Sequence, residues 1–189
     1  MRDITIFNLM KVVFIIQITM LFFLSACTDE IKTQKEVSLK DSDLLVVQTK
    51  HINGSIKAGN YSSSKKVLIY NAKGDKTEGW VLSYEKSEIT ISPNKKSFDE
   101  ILYNYQRKEK LNSPISSTKV LQSDSNSVLI KEVNFIYETG EIKEEGYTFS
   151  LVINGFELKG SGENPLKPIK DIDQAKKLIL ISKSFKPSK

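Results

Sequence analysis

The chain has 189 residues and a formal net charge of +5, with a single histidine and a single cysteine. That inventory excludes an internal disulfide, a zinc finger and a clustered His/Cys metal site, and any nucleophile–histidine triad would have to use His51. The length suits one domain with a core large enough to fold without staples.

The first predicted element is a targeting segment. Arg2 and Lys11 make a basic opening, and Val12 to Leu24 is apolar except for Gln17 and Thr19. As a helix this run reaches roughly 20 Å, short of a hydrocarbon core of about 30 Å. It therefore reads as a signal h-region rather than a membrane span. Leu24-Ser25-Ala26-Cys27 follows and resembles the bacterial lipobox, a leucine, two small residues and an invariant cysteine. The resemblance implies a lipoprotein: residues 1–26 are cut away, and Cys27 becomes N-terminal and carries the lipid, palmitate included. Several acyl chains, at about 0.8 kcal/mol per buried methylene, anchor a protein durably. Thr28 stands where an aspartate resembles an inner-membrane retention signal, which implies the outer membrane, facing the periplasm. A Gram-positive surface lipoprotein carries the same box.

Residues 27–40 read as the lipidated cysteine and a polar tether, and 41–189 as one domain. Its first half is a series of short β-branched and aromatic runs: Leu44–Val47, Lys66–Tyr70, Gly79–Tyr84 and Glu88–Ser92, with a turn at Ala72–Lys76 and a stop at Pro93. Then the period changes. Ser97-Phe98-Asp99-Glu100 is a capping box, and Phe98, Ile101, Leu102 and Tyr105 share one helical face, predicting a helix to about Leu111. Ser127–Tyr137, Glu145–Ile153 and Phe156–Gly160 predict a meander with turns at Glu138–Glu141 and Asn154-Gly155. Asp171 or Asp173 caps a last helix along Ile172, Ala175, Leu178 and Ile179, with Phe185 covering the sheet end.

The fold class predicted is α+β: an antiparallel meander with two helices packed on it and one sheet face partly open. The order of helix, long meander and C-terminal helix closing in Lys183-Ser184-Phe185 is similar to the PsbP-like fold over roughly the last half of the chain. That likeness implies a fold and no function.

The chemistry-bearing residues are sparse. After the signal Arg107 is the only arginine, and lysines scattered among glutamates read as a solvated surface, not a nucleic-acid reader. His51 reads as an exposed turn histidine. Gly160–Pro165 reads as a connection, because Pro165 and Pro168 intervene before the helix N-terminus that a phosphate loop needs. Asp124-Ser125-Asn126 is half of a calcium loop without its glycine and closing glutamate, hence a polar turn. Carboxylates are plentiful, but spacing alone sets no two of them across a cleft. Trp80 reads as core. Tyr103, off the apolar helix face, and Arg107, one turn on, form a candidate partner contact. No catalytic residue, cofactor or metal is expected. The expected function is a lipid-anchored cell-envelope protein acting as a non-enzymatic binding or scaffold domain with a protein partner. The alternatives are an immunity lipoprotein neutralising a periplasmic toxin, and a carboxylate-dependent hydrolase.

Overall fold

Alternation of apolar and polar residues sets most of this fold. A computed structural model describes residues 44–70, 74–111 and 113–188. The signal segment, the lipobox with Cys27, the tether, and Ala72 and Lys73 of the predicted turn lie outside the described residues. The strands are β1 (Leu44–Gln48), β2 (Asn53–Lys57), β3 (Ser63–Tyr70), β4 (Lys76–Tyr84), β5 (Ser87–Pro93), β6 (Ser116–Ser123), β7 (Ser127–Phe135), β8 (Ile142–Ile153), β9 (Phe156–Ser161) and β10 (Lys186–Pro187). The helices are α1 (Phe98–Lys110) and α2 (Ile172–Lys183). Neither is long and apolar enough to cross a membrane.

Seven strands form an antiparallel sheet in the order β3-β4-β5-β9-β8-β7-β6, and β1-β2-β10 form a small second sheet. The α+β class expected from the sequence is the class observed. Asn154 (φ 46°) and Gly155 (φ 83°) make the tight turn that returns β9 along β8. This inserts β9 between β5 and β8 and joins the two hairpin blocks into one sheet.

Both helix starts follow from their caps. Ser97 Oγ accepts the Glu100 N–H at 3.2 Å, while Glu100 Oε2 accepts the Ser97 N–H at 2.8 Å. Asp171 caps α2, its carboxylate accepting the Asp173 N–H at 3.0 Å.

Three strands were not anticipated. β2 begins Asn-Gly-Ser, which reads as a turn, and β6 is a Ser/Thr/Lys-rich edge. Two-residue β10 exists only by pairing with β2. The predicted strand 127–137 stops at Phe135, where the β7–β8 register shifts, and β8 starts at Ile142.

The large sheet has two unlike faces. On the first, Leu82, Ile89, Phe149, Leu151 and Leu158 are fully buried beneath Ala175 and Leu178 of α2 and Val47 and Ile56 of the small sheet. This is the main core, all of it within the compact unit Leu39–Lys189. Trp80 packs partly buried at its margin. On the opposite face α1 contacts β6 and β8, and Ile101, Val128 and Ile130 are buried there. The helices thus lie on opposite faces. α1 packs chiefly on β6 and β8, so most of the face that it shares is left open over β3, β4, β5 and β9.

Candidate functional site

The open half of this face is built by strand parity. Register places Lys65, Val81, Thr90, Lys159 and Ser150 in one row across β3, β4, β5, β9 and β8. The row on one side holds Ser83, Glu88 and Ser161, and the row on the other holds Val67, Gly79, Ser92 and Glu157. Opposite residues in a strand pair share a face, so these side chains form one surface. Gly79 makes room for the Ile69 side chain, which lies over the glycine where a Cβ would stand.

The result is a trough of about 710 Å³ over β3, β4, β5 and β9, overhung by Glu163, Asn164 and Pro165. That volume is in the usual range of ligand pockets, about 300–1,000 Å³. The overhang is an excursion of the chain between β9 and its return to β8. Gly162 N–H donates to the Lys167 carbonyl at 2.7 Å, and Ile169 then pairs with Tyr147. Gly160–Pro165 is therefore a connection, as the sequence predicts, and its loop forms the trough's upper lip.

The trough is graded. Val67, Ile69 and Val81 make its β3–β4 end aliphatic, while Thr90, Lys159, Ser161 and Asn164 make the β5–β9 end polar. Its polar groups differ in how well they are satisfied. Ser83 Oγ donates to Glu88 at 3.1 Å and Ser150 Oγ donates to Glu157 at 2.6 Å. Ser161, 4% exposed, has no partner for its Oγ. The hydroxyl of Thr148, on the same face of neighbouring β8, is also buried without one. Buried polar atoms are normally bonded, and each exception asks for an explanation. Among the described residues neither Lys65 nor Lys159 has an ion-pair partner. Where α1 meets this face, burial raises the Tyr105 phenol pKa, and the Glu157 and Glu132 carboxylates raise it further. Tyr105 stays a neutral donor at all physiological pH.

Glu88 and Glu157 are the obvious acids. Glu88 faces Ser161 and Glu157 faces Ser92, four residues apart on adjacent strands, or roughly 13 Å along the sheet. Their hydrogen bonds draw them apart, one toward β4 and the other toward β8. A glycosidase pair needs its carboxyl groups about 5–9.5 Å apart.

The sequence-predicted residues lie elsewhere. His51 is exposed in the β1–β2 turn, its N–H donating to Thr49 Oγ1 at 3.1 Å. Tyr103 (64% exposed) and Arg107 stand one turn apart on the outer side of α1, away from the trough. No group of three potential metal ligands occurs among the described residues.

Asp124 has a structural task. Its Oδ1 accepts the N–H groups of Asn126 and Ser127, and its Oδ2 accepts Ser127 Oγ at 2.8 Å and Lys183 Nζ at 2.6 Å. The β6–β7 turn is thereby tied to the end of α2. Burial pushes the carboxyl pKa up, but the hydrogen bonds from Lys183, Asn126 and Ser127 outweigh it and hold it well below the usual range. With the folded-state value depressed, the stabilisation is complete above the unfolded pKa of about 3.9 and is lost as pH falls through the folded-state value. Because Asp124 is about a third exposed, its charge contribution is discounted to about 1 kcal/mol. Asp124→Asn keeps an acceptor and loses the charge. Urea midpoints for the two chains should differ at neutral pH, and the gap should narrow progressively as pH falls below about 4; a gap unchanged at low pH would exclude the charge as its source.

The trough residues were missed in the sequence although Glu88-Ile-Thr-Ile-Ser and Phe156-Glu-Leu-Lys-Gly-Ser each show the signal, polar residues alternating with buried ones. That these strands are neighbours follows only from the sheet order. Comparison of the chain with family models, with curated proteins and with solved structures finds no match.

Proposed function

We propose that the chain is a lipid-anchored protein of the bacterial cell envelope whose folded part is a non-enzymatic binding domain, taking its ligand in the trough. The anchor rests on Leu24-Ser25-Ala26-Cys27 and on the acyl chains that this motif implies. One observation carries the binding role: the trough brings together the buried Ser161 hydroxyl and the ammonium groups of Lys65 and Lys159, none of which has a partner among the described residues. A ligand with an aliphatic part for Val67, Ile69 and Val81 and a polar part for Thr90, Lys159 and Ser161 matches the grading. The separation and opposite lean of Glu88 and Glu157 favour binding over carboxylate hydrolysis.

One set of strains tests both halves. Labelled palmitate should enter the wild-type chain and not Cys27→Ala, and labelling of the variant would overturn the anchor. A photo-crosslinking residue at position 90 should capture a species that the same residue at exposed position 177 does not. Equal capture, or none, at both positions would remove the trough as the binding site.

A further inference from the structure

The outer edge of β3 is the open border of the seven-stranded sheet, and no described strand pairs with it. Natural edges are commonly blunted by bulges, proline or charge. β3 has neither bulge nor proline, since its register with β4 runs unbroken from Ser63↔Ser83 to Tyr70↔Lys76. Its charges, Lys65 and Lys66, stand in the first half. The second half, Val67-Leu68-Ile69-Tyr70, is apolar throughout, and Leu68 and Tyr70 are 56% and 59% exposed. Alternate backbone N–H and C=O groups of such a strand point outward and can accept another strand. The trough also spills over this edge, being lined by Leu68 as well as by Val67 and Ile69 of the opposite parity.

We infer that the strand covering this edge is β3 of a second copy of the chain, paired antiparallel about a two-fold axis at Leu68. The sequence of β3 selects that partner. In a continuous sheet, opposed residues must lie on the same face, so only pairings of like parity are allowed. With Leu68 on the axis, Leu68 faces Leu68 of the copy, Val67 faces Ile69, and Lys66 faces Tyr70. Val67, Leu68 and Ile69 then each meet an aliphatic side chain, and the Tyr70 ring meets the Lys66 stem. Lys66 brings no unpaired charge, because Glu78 already neutralises it. Moving the axis to Val67 sets Lys65, which has no ion-pair partner among the described residues, against Ile69 and takes Val67 and Leu68 out of their aliphatic pairings with Ile69 and Leu68 of the copy. A two-fold interface of this kind is self-complementary and closed. It joins the two sheets and makes the two troughs continuous across the shared edge.

Cysteine substitution reads the register directly. Opposed residues in an antiparallel pair have Cα atoms about 4.5–5.5 Å apart, within the span of a disulfide. Full-length Leu68→Cys should form disulfide-linked dimers under mild oxidation, while the chain without an added cysteine does not. Lys66→Cys and Tyr70→Cys should each stay unlinked alone and link to one another when mixed. Leu68→Lys, at an exposed site that costs little in folding, should shift the sedimenting species from dimer to monomer. A Leu68→Cys chain that stays unlinked, or equal linking of all three variants alone, overturns the inference. So does a wild-type chain that sediments as a monomer, which would leave the edge to a different protein.

Discussion

Gly160→Ala should destabilise the protein by about 3 kcal/mol, the upper end of the ordinary cost of overpacking a core. Gly160 pairs with Ile89 on one side and Phe149 on the other, at the centre of the large sheet. The Phe149 ring, fully buried, lies across the glycine so closely that an added Cβ would fall within the ring's own envelope. Neither partner has room to yield. The ring is enclosed by the main core beneath α2, and β9 is held in register by β5 and β8. The conflict is thus between a methyl group and the largest fully buried side chain of the domain. Removing the ring should relieve the conflict but leave a cavity. Phe149→Ala alone should cost about 3–5 kcal/mol, and the double variant should cost less than the two single costs added, by about 1–2 kcal/mol of coupling between touching residues. Urea unfolding of the four chains measures this, and strictly additive costs would show that ring and glycine are not in contact.

The same pair shows what can be read from the sequence and what cannot. The strand around Phe149 is plain from its alternation, and the return at Asn154-Gly155 fixes β8 against β9, because Asn-Gly suits the tight turn that antiparallel strands need. That Phe149 then faces Gly160 follows from counting back from the turn. Nothing local says that β9 also pairs with β5, some seventy residues earlier. Such pairing is non-local, and no turn encodes it. The trough depends on it, since Thr90 and Lys159 meet only because β5 and β9 are neighbours. The N-caps and apolar faces of the helices are local and were legible. Which face of the sheet each helix covers was not, because both sheet faces carry apolar residues: Leu129 turns toward α2 while Val128 and Ile130 turn toward α1. Asn53 to Lys57 do not read as a strand for a further reason. Asn-Gly-Ser is turn chemistry in isolation, and here β1 on one side and β10 on the other override it.

Phe185→Ala should cost about 3–5 kcal/mol, and the loss should fall unevenly over the domain. Phe185 is 3% exposed just beyond α2 and closes on three elements at once. Its ring meets the edge of Phe156 with centroids 5.6 Å apart at 84°, an arrangement that contributes about 0.5–1.5 kcal/mol beyond area burial. Its other side rests on Gly54, where a Cβ would come within 2.8 Å of the ring, which is why a glycine interrupts β2. The residues around it depend on the same position. Ser184 Oγ accepts the Lys57 N–H at 2.9 Å and donates to the Ile181 carbonyl at 2.6 Å. Lys186 pairs with Ser55, and the Ser188 N–H reaches the Asn53 carbonyl at 2.8 Å. Phe185 is therefore the apolar pin that holds the small sheet to the end of α2 and to β9. Without it β10 has only its two-residue ladder, and β2 loses the ring packed over Gly54. Regions with few remaining contacts open at lower free energy than the core strands. In hydrogen exchange, amides of Asn53–Lys57 should lose more protection than those of β7 and β8, which pair along their length. Equal loss in both would mean that the small sheet opens only with the whole domain, and that Phe185 contributes to the core without fastening any one part of it.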